Sequence, residues 1–83
     1  MPVVPTLRMF ASAREAAGTG ADTLEGETVA AVLAAATARY GDDFAAVLET
    51  CKVWLNGEAV DPSTPVGDDD EVAVLPPVSG GCG

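Results

Sequence analysis

The apolar positions recur with two different periods. Val29, Val32, Leu33, Ala36 and Tyr40 fall at i, i+3, i+4, i+7 and i+11, the spacing of one buried helical face. Thr28 supplies an N-cap and Gly41 a stop, while Glu27 and Arg39 sit with favourable sign at the two ends of the helix dipole. The spacing therefore predicts a helix over 29–40. Elsewhere the period shortens. Thr6 to Phe10, with Pro5 at its start, reads as a first strand, and Ala21 to Leu24 as a second that pairs with it. Between them Ser12 to Ala17 is rich in helix formers and ends at Gly18.

Phe44, Val47 and Leu48 predict a second short helical turn. Lys52 to Leu55 then alternates into Asn56-Gly57, a dipeptide that supplies both positive-φ residues of a tight hairpin, so Val53 to Leu55 should pair with Glu58 to Val60. Trp54 falls on one face of that strand, Val53 and Leu55 on the other. Asp61-Pro62-Ser63-Thr64-Pro65 is turn chemistry, and Glu71 to Leu75 is the last strand. Short strands around one dominant helix, without a βαβ repeat, predict an α+β domain in which a mixed sheet covers that helix. The domain occupies residues 1–75. Residues 76–83, Pro-Pro-Val-Ser-Gly-Gly-Cys-Gly, have almost nothing to bury and form an extended, flexible tail with a diglycine.

Length and composition narrow the chemistry. A chain of 83 residues holds one small core. The longest apolar run, Val29 to Ala36, is far short of the ~18 residues of a membrane span, and no basic segment opens a leader, so a cytoplasmic location is expected. Thirteen Asp and Glu against four Lys and Arg give a net charge of -9. That balance argues against nucleic acid, which requires clustered cations, and favours solubility and steering toward a basic protein surface. There is no histidine, and the only cysteines are Cys51 and Cys82. Thiol-based zinc and iron–sulfur sites, Ser-His-Asp and Cys-His arrangements are all removed, and no metal or bound cofactor is expected. A Cys51 to Cys82 disulfide is disfavoured in a cytoplasmic chain.

With no catalytic constellation in the body, the tail is the candidate site. Pro76 and Pro77 stiffen it, and Gly80-Gly81 removes side chains that would block a narrow channel. Leu75-Pro76-Pro77-Val78-Ser79-Gly80-Gly81 resembles the terminus of the molybdopterin synthase small subunit and the related MoaD/ThiS-like sulfur carriers. Phe10-Ala11 with Arg14-Glu15 and Gly18, the hairpin Val53 to Val60, and Asp69-Asp70-Glu71-Val72-Ala73 are similar to further parts of that family, so the likeness covers nearly the whole chain.

The resemblance implies a β-grasp, ubiquitin-like fold and a carrier that is a co-substrate rather than an enzyme, as in the small subunit of a molybdopterin synthase-like complex. Its terminal glycine, Gly81, would be adenylated with ATP and magnesium by a ubiquitin-activating-type enzyme. Conversion to a thiocarboxylate and donation of sulfur to a synthase would follow, in cofactor or natural-product biosynthesis. Pro76, Pro77, Val78, Ser79 and Gly80 would bind the activating enzyme's channel. One departure matters: the family pattern ends at the second glycine, whereas Cys82-Gly83 follow here. A thiocarboxylate on Gly81 requires that peptide bond to be cut, and similar relatives are trimmed by a JAMM-type zinc peptidase. Gly83 as the activated terminus and a separate role for the Cys82 thiol stay open.

Other residues carry smaller expectations. Asp68, Asp69 and Asp70 read either as a solvated turn guarding an edge or as a docking patch for a basic groove on the activating enzyme. Cys51 reads as a packed small hydrophobe, Trp54 as core or sheet surface, and Arg8 as a mark of the partner-facing side of the sheet. A ubiquitin-like modifier or binding module, joined through its terminal glycine to a lysine, would use the same tail. An acyl carrier is excluded, because no Asp-Ser-Leu opens a helix.

Overall fold

Strand alternation sets the architecture. In the computed structural model, which describes residues 3–76, the chain runs β1 (Thr6–Met9), α1 (Ala11–Ala17), β2 (Ala21–Thr23), α2 (Val29–Tyr40), α3 (Asp42–Leu48), β3 (Lys52–Leu55), β4 (Glu58–Ala59) and β5 (Glu71–Leu75). The five strands form one mixed sheet in the order β2-β1-β5-β3-β4. The first and last strands lie side by side and parallel at its centre, and the other neighbours are antiparallel. Leu7 and Met9 of β1 and Val72 and Val74 of β5 turn to one face, where they are buried with Val29, Val32 and Ala36 of α2, Ala13 of α1 and Phe44 of α3. The sheet thus has one dry face and one wet face, as expected of strands whose burial alternates.

The long helix occupies the predicted span and is held at its start by side chain and loop. Thr28 Oγ1 accepts from Ala31 N at 3.1 Å. Val29 N and Ala30 N donate to the carbonyls of Thr64 and Pro62, so the turn between β4 and β5 satisfies donors that a helix N-terminus leaves over. Gly26 is required beside that first turn, since a Cβ there would lie 2.7 Å from Val32 N. Asn56 and Gly57, with φ of 50° and 87°, make the two-residue hairpin turn.

Differences from the sequence expectations are local. β1 stops at Met9 rather than Phe10, β2 at Thr23 and β4 at Ala59, and α1 begins one residue early at Ala11. The short turn around Phe44 is a seven-residue helix. Leu33 lies on the predicted helical face but at its margin. It is half-buried, whereas Val29, Val32 and Ala36 are inaccessible. The α3 helix explains this, because it supplies Phe44 to the centre of the core and takes the area that a lone helix would have to cover.

A polar clasp joins the edge strand β2 to the end of α2. Tyr40 Oη donates to Asp22 Oδ2 at 2.5 Å and Arg39 Nη1 donates to the same oxygen at 3.0 Å. The Tyr40 bond holds the Asp22 carboxyl below its ordinary range. Burial, reinforced by that bond and the carboxylate's charge, pushes the Tyr40 phenol up to about 12. A raised phenol stabilises the fold fully below its unfolded value of 10.0 and ceases to do so as pH climbs through about 12. Asp22 contributes above 3.8 and loses that contribution as pH falls through its lowered folded value. Tyr40→Phe is therefore expected to cost about 1–2 kcal/mol at neutral pH. It should also flatten the loss of stability between pH 10 and 12. Urea titrations of both proteins across that window check it, and an alkaline slope unchanged by the substitution would contradict the clasp.

Candidate functional site

The tail leaves from the middle of the sheet. Strand β5 is hydrogen-bonded on both sides, with Val74 opposite Met9 of β1 and Val53 of β3, and Leu75 opposite Lys52. Phe10 N also donates to Val74 O. The strand that precedes the tail is thus anchored on both flanks as far as Leu75. Pro76, half-buried, is the last residue described. Pro77, Val78, Ser79, Gly80, Gly81, Cys82 and Gly83, among them the residue expected to bear sulfur, lie outside the described residues.

The wet face of the sheet surrounds this exit. One row runs Ala21, Arg8, Ala73, Trp54 and Ala59 across all five strands by direct register. Nearer the tail the alternation puts Phe10, Leu75 and Lys52 on the same side. Among the described residues, Phe10 and Trp54 are the exposed large hydrophobics, at 43% and 37%. Phe10 is presented by an unusual turn, since Ala11 has a φ of 50° and the Phe10 carbonyl accepts from both Ala13 N and Arg14 N. The sequence left Trp54 between core and sheet surface and gave no hint that it shares a row with Arg8; the structure puts it at the surface. Phe10 was missed as a surface residue because its signal, an apolar residue ending an apolar strand, is that of core.

The aspartates at the other end of the sheet are occupied. Asp68 Oδ1 accepts from Val4 N at 2.8 Å. Asp70 accepts from Gly67 N at 2.7 Å through one oxygen and from Asn56 Nδ2 at 2.9 Å through the other. These two bonds, that to Asn56 first, hold its carboxyl below the ordinary range. Asn56 also extends the ladder, its N donating to Glu71 O and its Oδ1 accepting from Glu71 N. Asp68 and Asp70 therefore pin the loop before β5, while Asp69 accepts none of the described side-chain bonds.

Cys51 is half-buried against the core, its Sγ 3.2 Å from Val47 O, and burial pushes its thiol up. It is a packing residue in a state unsuited to nucleophilic attack. Among the described residues no group of His, Cys, Asp and Glu could hold a metal ion, and no helix is long and apolar enough to cross a membrane.

The fold and the centrally launched tail define a class, the small β-grasp proteins of ubiquitin-like shape. The sequence model of the ThiS family matches residues 7–81. The chain belongs to that family, whose members act as sulfur carriers or ubiquitin-like modifiers and are not catalysts in themselves. It is similar to small archaeal modifier protein 1 from Methanosarcina acetivorans, with 30% identity, 96% of this chain and 98% of that one covered, and a TM-score of 0.85. The Haloferax volcanii HVO 2177 protein is also 30% identical, with 95% and 87% covered and a TM-score of 0.78. A putative molybdopterin converting factor subunit 1 from Pyrococcus furiosus shares the fold at 24% identity, with 92% and 99% covered and a TM-score of 0.81. No curated protein matches the chain at a significant level.

Proposed function

We propose that this protein is a sulfur carrier whose Gly81 carboxylate, once Cys82-Gly83 is removed, is adenylated and converted to a thiocarboxylate. The observation that carries the reading is the extent of the family match, which spans the domain and stops at Gly81, the second glycine of the tail. The chemistry follows from what a carboxylate lacks. Its oxygen attacks the α-phosphorus of ATP, pyrophosphate leaves, and the acyl adenylate becomes an electrophile. A sulfur nucleophile then attacks the acyl carbon and AMP departs. ATP and magnesium belong to the adenylating partner, and the carrier holds no cofactor of its own. Gly80 and Gly81 fit a narrow channel, Pro76, Pro77, Val78 and Ser79 span its approach, and a JAMM-type zinc peptidase would expose the terminus.

A sulfur-accepting synthase is the expected second partner. The similarity in fold to a Helicobacter pylori molybdopterin-converting factor, whose subunit 1 was solved in complex with subunit 2, supports an enzyme partner of that type. All of this chemistry is expected in the cytoplasm. The modifier reading is favoured by a different observation, the 30% identity to small archaeal modifier protein 1. Incubating the chain ending at Gly81 with ATP, magnesium, its adenylating enzyme and sulfide separates the two. Intact-mass spectrometry should show one oxygen-to-sulfur exchange. Absence of that product, with appearance of a lysine-linked conjugate when protein acceptors are added, would favour the modifier.

A further inference from the structure

The two edges of the sheet are unequal. Strand order makes β2 and β4 the outermost strands, and an edge strand offers unpaired main-chain groups to any chain that can lie beside it. β4 has only two residues, Glu58 and Ala59, too short a template to hold a further strand. β2 offers more. Met9 N donates to Gly20 O and Leu24 N to Pro5 O, so the main chain runs alongside β1 from Gly20 to Leu24. Those bonds turn the main-chain groups of Gly20, Asp22 and Leu24 inward, and the groups of Ala21 and Thr23 therefore face outward. Three of these four outward groups are already bonded. Thr19 Oγ1 donates to Ala21 O at 3.0 Å and accepts from Ala21 N at 3.4 Å, and Asp22 Oδ1 accepts from Thr23 N at 2.8 Å.

The Asp22 side chain is held where it can do this. It lies opposite Leu7, on the dry side of the sheet, and its other oxygen accepts from Tyr40 Oη and Arg39 Nη1 at the end of α2. The clasp between β2 and the long helix thus fixes the carboxylate that covers Thr23 N. A charge turned inward on an edge strand has a second effect, since a strand laid against β2 would bury it further. We propose that Thr19 and Asp22, the latter positioned by Tyr40 and Arg39, close the β2 edge against strand addition by a second copy of this chain. A second copy is the occupant to exclude because β2 can pair antiparallel with itself about a two-fold axis, each copy supplying the other's missing donors and acceptors. The inference concerns the sheet edge and does not depend on the chemistry of the tail.

Amide hydrogen exchange and sedimentation of the full chain test it. At low protein concentration the protection factor of Thr23 N–H should exceed that of Ala59 N–H, the outward amide of the other edge by the same alternation, by at least about tenfold. Asp22→Ala should remove that difference while Met9 N–H, bonded on the inner side, keeps its protection. Tyr40→Phe should reduce it by a smaller factor, because Arg39 still holds the carboxylate. In salt sufficient to screen a net charge of -9, the parent should sediment as a monomer and Thr19→Val/Asp22→Ala as a mixture whose dimer share rises with concentration. Adding Ala21→Pro, which removes an outward N–H and leaves the ladder to β1 in place, should restore the monomer. Thr19→Val alone spares the clasp, so it answers the same question if the double variant does not fold, with a smaller dimer share that Ala21→Pro again abolishes. Folded variants that stay monomeric throughout, a parent that already dimerises, or a dimer that survives Ala21→Pro overturns the proposal. A Thr23 protection factor no greater than that of Ala59 does so as well.

Discussion

Replacing Phe44 with Ala is expected to destabilise the domain by about 3–5 kcal/mol, a large share of the ~4–12 kcal/mol that a chain of this length possesses. Phe44 is inaccessible to solvent and is the largest side chain in that state. Its ring meets Tyr40 edge-on with centroids 5.2 Å apart. The α3 helix that carries it packs on both other helices, so the void would open where all three converge and could close only by moving them. Phe44→Leu keeps most of the volume and should cost about 1–2 kcal/mol. Urea unfolding followed by circular dichroism measures both. A cost below about 1 kcal/mol for the alanine variant would show that the helices collapse onto the space, contrary to the rigid packing inferred here.

The full-length chain is expected not to acquire sulfur, while the chain ending at Gly81 acquires it readily. An acyl adenylate forms only on a free carboxylate, and in the full-length protein the Gly81 carbonyl is an amide to Cys82. Gly83 offers a carboxylate, but the residues before it include the Cys82 side chain, which a channel shaped for two glycines must exclude. Gly81→Ala in the shortened chain should impair the reaction by placing a methyl group beside the reacting carbon. Intact-mass spectrometry after incubation with ATP, magnesium, the adenylating enzyme and sulfide reads all three. Efficient thiocarboxylation of the full-length chain at Gly83 would remove the need for trimming while preserving the carrier function.

Local signals determined a great deal of this protein. The helix over 29–40 was legible because its apolar period, its Thr28 cap and its terminal charges agree, and each is a property of adjacent residues. The hairpin was legible because Asn56-Gly57 tolerates positive φ at both positions. The diglycine and its prolines are read from the covalent sequence alone and, apart from Pro76, lie outside the described residues. What the tertiary structure decided was proximity between distant segments. Nothing local places β1 and β3 on either side of β5, and those two pairings, one parallel and one antiparallel, put Phe10 and Trp54 on the sheet face beside the last strand. Long-range contact likewise makes Asp68 and Asp70 loop anchors, which no local pattern announces, since their partners Val4 and Asn56 are 64 and 14 residues away. Leu33 was demoted to the margin for the same reason, because a periodic pattern reports which face of a helix is buried but not how much of it a neighbouring helix leaves to be covered.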